Sequence, residues 1–182
     1  LQWQFNHNPV NDAWSLTEQK GKLTFHALKA DNFKVARNTL TQKTMGYTGT
    51  ATIKMAWSPK DMVDGQRCGL ACMGNQNWNL GIRQENGQRY VYLEKDNEII
   101  QKKPMKGNTI HLRMDADATK NEYQLLYSYN TKEYNALGDA FPMEFGHWKG
   151  VRIGLYCYNV EGNAGRVSFD DFTYTHDGPK VK

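Results

Sequence analysis

The chain has 182 residues, 39% of them hydrophobic and 23% charged, and a formal net charge of +4. That length holds one medium domain with a buried core, and the composition is neither disordered nor membranous. Basic and acidic residues are interleaved, which excludes a nucleic-acid stripe, and no apolar run approaches the ~18 residues of a membrane helix.

A period of two dominates the chain. In "KLTFHAL" Leu23, Phe25 and Ala27 share one face, and in "TATIKMAW" Ile53, Met55 and Trp57 do the same. The stretch "PKDMVD" reads as a turn. In "CGLACMG" Cys68 and Cys72 take the strand parity of Leu70. With Cys157 they read as buried free thiols, since nothing resembles a paired CxxC. "NWNLGIRQENGQRYVYLEK" reads as a hairpin, because Asn86-Gly87 supplies the φ > 0 residues of a tight turn. Glu94, Asp96 and Glu98 surround the next turn and read as solvated. "TIHLRMDAD" alternates Ile110, Leu112 and Met114 with His111, Arg113 and Asp115, and Asp115 and Asp117 read as carboxylates of a strand running into a turn. "KNEYQLLYSYNTKEY" supplies one or two more strands, and "ALGDAFPMEFGH" a loop with a short helical turn. "VRIGLYCYNV" alternates Val151, Ile153, Leu155 and Cys157 with Arg152, Gly154, Tyr156 and Tyr158. Helical signals are scarce, and no repeat or linker is visible. The pattern predicts a single all-β domain over 1–182, an antiparallel sandwich. Its predicted core is Leu23, Phe25, Ile53, Met55, Ile110, Leu112, Met114, Ile153 and Leu155.

In "VSFDDFTYTH" two carboxylates, Asp170 and Asp171, stand side by side. Consecutive strand residues face opposite ways, so one is expected to point at packed atoms, where an unpaired charge is costly. Three readings stay open: a catalytic acid, a structural Ca2+ ion, or a hydrogen-bonded partner. Calcium takes hard oxygen ligands, and the N-terminal "FNHNPVND" is rich in them. The candidate metal set is therefore Asp170, Asp171 and Asn8. No Ser or Cys sits in a nucleophile-elbow setting, no acid pair has a glycosidase context, and the five histidines lack zinc spacing.

Sugar sites combine flat rings with planar polar groups. Trp78 stands among Asn75, Gln76, Asn77 and Asn79 and is the first candidate for stacking. Tyr156 and Tyr158, on the less apolar parity of their strand, are further candidates, as is Tyr47 in "MGYTG". Each also reads as a ring that simply covers its sheet.

"WQFNHNPVNDAWSLTEQKGKLTFHALKADNFKVARNTLTQKTMG" resembles the opening of the C-terminal β-sandwich of glycoside hydrolase family 43 enzymes, the β-xylosidases and α-L-arabinofuranosidases. "GQRCGLACMGNQNWNLGI" and "GNAGRVSFDDFTYTHDG" resemble its middle and closing strands. The resemblance covers essentially the whole chain. It implies a concanavalin-A-like jelly roll of two antiparallel sheets, with the catalytic acids in a separate five-bladed propeller. It further implies a non-catalytic accessory module that packs on the propeller and binds xylan or arabinoxylan, in a secreted or periplasmic bacterial enzyme. Phe33, in "DNFKVARN", would be lent to the rim of the propeller's sugar pocket. The start at Leu1-Gln2-Trp3, without Met, fits a piece of something longer. The alternatives are an independent lectin-like protein and a self-contained jelly-roll glycosidase or lyase.

Overall fold

Alternating residues form strands because one parity can be buried while the other stays wet. In the computed structural model, which describes residues 2–146 and 148–179, the strands at 48–56 and 109–117 realise this alternation, whereas those at 66–73 and 152–159 are buried on both faces. The strands are β1 (Gln4–Phe5), β2 (Trp14–Ser15), β3 (Leu23–His26), β4 (Leu28–Lys29), β5 (Thr39–Lys43), β6 (Thr48–Ala56), β7 (Gln66–Met73) and β8 (Asn77–Glu85). They continue with β9 (Gln88–Lys95), β10 (Glu98–Pro104), β11 (Thr109–Asp117), β12 (Glu122–Ser128), β13 (Asn135–Ala136), β14 (Arg152–Asn159) and β15 (Arg166–His176). Sheet I runs β1-β5-β14-β7-β8-β9-β10, with β4 added parallel to β14, and sheet II runs β13-β12-β11-β6-β15-β3-β2.

The core lies between the sheets. Ile110, Leu112 and Met114 of β11 stand opposite Met55, Ile53 and Ala51 of β6. Cys68, Leu70 and Cys72 close on them from sheet I, with Ile153, Leu155 and Cys157 beside them. All nine predicted core residues are here; Leu23 alone is only half-buried, packed at the margin. The three thiols are free and buried. Leu112→Ala is expected to cost about 2–5 kcal/mol, from lost transfer energy and the cavity left behind. Chemical denaturation measures it, and an unchanged midpoint would mean that the strand phase is wrong.

Three local features depart from expectation. The predicted strand "KLTFHAL" breaks at Ala27, where the chain leaves sheet II for sheet I. The break is held by two bonds: Ala27 N–H donates to the Gly165 carbonyl at 2.8 Å, and Asn38 Nδ2 donates to the His26 carbonyl at 2.7 Å. The turn after β9 carries positive φ at Asp96 (46°) and Asn97 (76°), the geometry that closes a two-residue hairpin. It launches β10, an unpredicted edge strand whose Lys102, Lys103 and Pro104 discourage further pairing. Residues 136–146 form no helical turn; instead Phe141 bridges to Tyr123. His147, the last residue of that predicted loop, lies outside the described residues.

Candidate functional site

The outer face of sheet I carries a second, smaller apolar cluster. Its base is a row of register partners across four strands, Tyr156–Gly69–Gly81–Tyr92. Three inter-strand spacings, ~14 Å, separate the two tyrosine Cα atoms. Their hydroxyls nevertheless meet at 2.7 Å, so both rings lie down over the glycine pair. Burial pushes both phenols well above the usual tyrosine range. Over the rings folds the turn at 31–36. Asn32 caps it by accepting the Lys34 N–H at 3.0 Å, and Phe33 drops edge-on to Tyr156 with centroids 5.2 Å apart. Ala30 and Ala36 complete the lid.

This lid corrects three expectations. Tyr156 and Tyr158 do sit on the less apolar parity, but the turn seals them from solvent, so neither offers a face to a sugar. Phe33 is 3% exposed and points inward rather than toward a neighbouring domain. The exposed residues of that turn are Asp31, Lys34 and Val35, the last 54% exposed.

The next rows hold a buried polar cluster that spacing did not reveal. Glu94, read as a solvated turn residue, shares the outward parity of Tyr92 and is fully buried. Asn79 Nδ2 donates to its Oε1 at 3.1 Å, and Arg67 Nη1 stands 3.7 Å from its Oε2. Arg67 and Arg83 face each other directly across β7 and β8. Like charges so placed repel. They turn apart, Arg67 toward Glu94 and the Tyr158 ring, Arg83 toward Glu85 and the Tyr92 ring.

Trp78 is also corrected. It shares the inward parity of Leu80 and Ile82, at the end of the core. Phe141 stacks on it at 4.0 Å and 9°, and the Lys95 ammonium lies over the ring at 5.5 Å. With Phe141 stacked on it and the ring packed against the core, Trp78 is not an open platform for a ligand. Of the four predicted stacking rings only Tyr47 is exposed, at 70%.

The carboxylates of "FDDF" are explained by a bulge. Asp170 pairs with Lys54, but Thr173 pairs with Thr52, so β15 has one residue more than β6 there. Asp171 takes φ +53° and is exposed, and its N–H donates to Asp170 Oδ1 at 2.9 Å. The extra residue reverses the parity: Val167 and Phe169 point inward before it, Phe172 and Tyr174 after it. Neither carboxylate is driven into the core, so the premise for a calcium ion is gone. The donor set fits one poorly as well. Asp170 stands opposite a lysine, and the Asn8 carbonyl is taken by Arg37 Nε at 3.0 Å. Among the described residues no three His, Cys, Asp or Glu side chains converge as a metal site. β1 pairs with β5 rather than with the last strand, and Trp3 packs edge-on against Phe172 of β15.

Asp171→Gly is expected to leave the melting temperature unchanged or raise it, because glycine adopts positive φ freely. Asp171→Val should cost about 1–2 kcal/mol. Thermal unfolding with and without calcium checks both. A fall in Asp171→Gly that abolishes a calcium effect would restore the metal reading.

The outer face of sheet II is a polar groove of about 680 Å³, lined by Thr48, Thr50, Arg113, Asp115, Gln124 and Asp177 among others. Asp115 Oδ1 accepts from Arg113 Nε and Thr50 Oγ1, both at 2.8 Å. Asp117 closes the turn after β11 by accepting from Thr119 Oγ1 and the Thr119 N–H. Asp177 accepts the N–H groups of Tyr47 and Thr48 at 2.7 and 2.9 Å. The Thr119 and Lys120 side chains hold Asp117 below the usual carboxylate range, and the backbone N–H of Thr48 chiefly does so for Asp177.

Comparison with known proteins agrees with this architecture. Residues 1–175 match the family model of the β-xylosidase C-terminal concanavalin-A-like domain. The chain is 35% identical over 156 residues to a putative β-xylosidase of Xylanibacter ruminicola, covering 85% of this chain and 28% of that protein. It is 33% identical to a β-xylosidase of Formosa agariphila, covering 100% of this chain and 34% of that protein. The solved structure of a bifunctional GH43-CE protein of Bacteroides eggerthii superposes with a TM-score of 0.89 at 26% identity, covering 100% of this chain and 24% of that one. The chain thus spans about a third of the length of the curated relatives it matches. With two antiparallel sheets and a family match over nearly its whole length, the chain belongs to the C-terminal concanavalin-A-like domains of the family 43 β-xylosidases.

Proposed function

We propose that this domain is the non-catalytic accessory module of a family 43 glycosidase acting on xylan-type or arabinan-type chains, and that it packs against the catalytic propeller. Such polymers lie outside the cell, which makes the enzyme secreted or periplasmic. The observation that supports the non-catalytic part is the hydrogen bonding of three groove acids, Asp115, Asp117 and Asp177. A glycosidase needs one carboxyl held protonated near neutral pH, through burial or a neighbouring charge. Asp117 and Asp177 are pushed the opposite way by hydrogen-bond donors, and Asp115 is clamped by Arg113 and Thr50. Glu94 is fully buried, with Asn79 on one oxygen and Arg67 beside the other, so no substrate reaches it.

Docking is tested by expressing this chain and a family 43 propeller as separate polypeptides. A complex on size exclusion, with a raised melting temperature for the propeller, is expected. Two independent peaks and unchanged melting would overturn the packing role.

A further inference from the structure

We propose that Cys68 and Cys157 close into a disulfide bridge when the chain folds in the presence of a disulfide oxidant, tying β7 to β14 within sheet I. The oxidising surroundings rest on the secreted or periplasmic reading above; the pairing itself rests on strand register.

The register brings the two residues face to face. Cys157 of β14 is the direct partner of Cys68 of β7, and both belong to the core between the sheets. The kind of pairing matters as much. Strand β14 lies between β5 and β7. The Cys157 N–H donates to the Asn38 carbonyl at 3.0 Å, on the side of β5, whereas the Val160 N–H donates to the Gly65 carbonyl at 3.0 Å, on the side of β7. Backbone groups of successive residues alternate between the two neighbours, so those of Cys157 turn away from β7. Cys157 and Cys68 are therefore a non-hydrogen-bonded pair, in which the Cα atoms approach to about 4.5 Å and the side chains stand closest. A disulfide accepts Cα separations of about 4.4–6.8 Å. The backbone spacing of the folded sheet already suits the bond.

The same geometry excludes the third thiol. Cys72 shares the inward face of β7, but four residues of strand, ~13 Å, separate it from Cys68. Its register partners are Ile153 and Trp78, and Ile153 is itself four residues from Cys157. Of the possible pairings among the three cysteines, only Cys68 with Cys157 is within reach.

Burial decides when the bond is made. Both thiols are fully buried, and burial, followed by the neighbouring Cys157, pushes the Cys68 thiol well above its ordinary range. The thiolate is the attacking species, so the reaction belongs to the chain whose sheet is still open. Glutathione disulfide is a sufficient oxidant. One cysteine thiolate attacks it, releasing one glutathione thiol and leaving a mixed disulfide. The second cysteine thiolate attacks the protein sulfur of that adduct and releases the other glutathione. Two S–H bonds are lost and one protein S–S bond forms; the two electrons and two protons end on the two glutathione thiols. The bridge closes a loop of about 90 residues, which restricts the unfolded chain strongly. Gln66 Nε2 donates to Cys157 Sγ at 3.7 Å and keeps an acceptor there in the bridged form.

The test is refolding of the whole chain from denaturant, either in a mixture of glutathione and glutathione disulfide or in excess reductant. Thiol titration and peptide mapping without reductant then follow. After oxidative refolding one free thiol is expected, that of Cys72, with the Cys68 and Cys157 peptides linked; after reductive refolding all three thiols are free. The bridged form should melt about 5 °C or more above the reduced one. Cys72→Ala should keep that gain and Cys157→Ala should lose it. Three free thiols in folded protein from the oxidising mixture would overturn the proposal, as would a bridge that includes Cys72. A bridged form that melts below the reduced one would overturn it too, because the register would then not accommodate the bond. The thiol count of the unsubstituted chain decides the matter even where an alanine variant fails to fold. The oxidant is supplied in the tube, so this result stands apart from where the enzyme resides.

Discussion

Arg67→Ala is expected to destabilise the domain by about 3 kcal/mol or more. Glu94 is fully buried, and Arg67 is the cation beside its Oε2. Asn79 keeps its hydrogen bond to Oε1 in the variant, but one amide donor does not replace a guanidinium. The loss therefore comes from the carboxylate left behind, more than from the modest worth of a 3.7 Å ion pair. That distinction has its own check. Adding Glu94→Gln to Arg67→Ala should recover most of the loss, since a neutral amide needs no counter-charge. If the double variant is as unstable as the sum of the singles, the two groups are uncoupled and the buried-charge account fails. Urea midpoints of the four proteins close this cycle.

Gly81→Ala is expected to be comparably severe, about 3 kcal/mol, or to prevent folding. A Cβ there would run into the Cys68 carbonyl and lie 2.8 Å from Gly69 Cα. Both are backbone atoms of the adjacent central strand, so no side chain can swing aside. Strands β7 and β8 would have to part in the middle of sheet I. The tyrosine pair that closes over the glycines would lose its floor, and with it the seat of the 31–36 turn. Gly87→Ala makes the contrast. Its φ is +72°, but an added Cβ meets nothing within 4 Å. It should cost only the backbone strain of a left-handed alanine, about 1–2 kcal/mol. If Gly81→Ala melts within a degree of the parent protein, the close approach of the two strands is not what holds this face together.

The parts of this domain that were legible in the sequence are those where one face is apolar and the other wet. β6 and β11 follow their alternation almost residue for residue. What escaped has identifiable physical causes. Parity says that Tyr156 faces away from the core, but not that a turn more than a hundred residues earlier folds over it. Glu94 escaped because a charged residue beside a turn is usually wet, whereas here it is buried beside Asn79 and Arg67. Two signals were present and readable. Trp78 shares the parity of Leu80 and Ile82, which marks it as core despite its amide neighbours. In "VSFDDFTYTH" the apolar residues change parity between Phe169 and Phe172, and a strand can do that only by inserting a residue. The groove was half visible. His111, Arg113 and Asp115 were on the correct face, but a run of alternating polar residues does not announce curvature or an empty cover.

The buried polar groups of this domain are spent on structure. Arg67 and Glu94 hold the covered face of sheet I, and Asp115, Asp117 and Asp177 of the open groove are tied to donors. Its central consequence is that the chain by itself hydrolyses no glycoside. The direct measurement is incubation of the purified chain with nitrophenyl β-xyloside, nitrophenyl α-L-arabinofuranoside and arabinoxylan, at high enzyme concentration and across the acid to neutral range. No release above the buffer rate at any pH is the result predicted. Steady turnover that is lost on replacing a single Asp or Glu, with folding intact, would contradict the account.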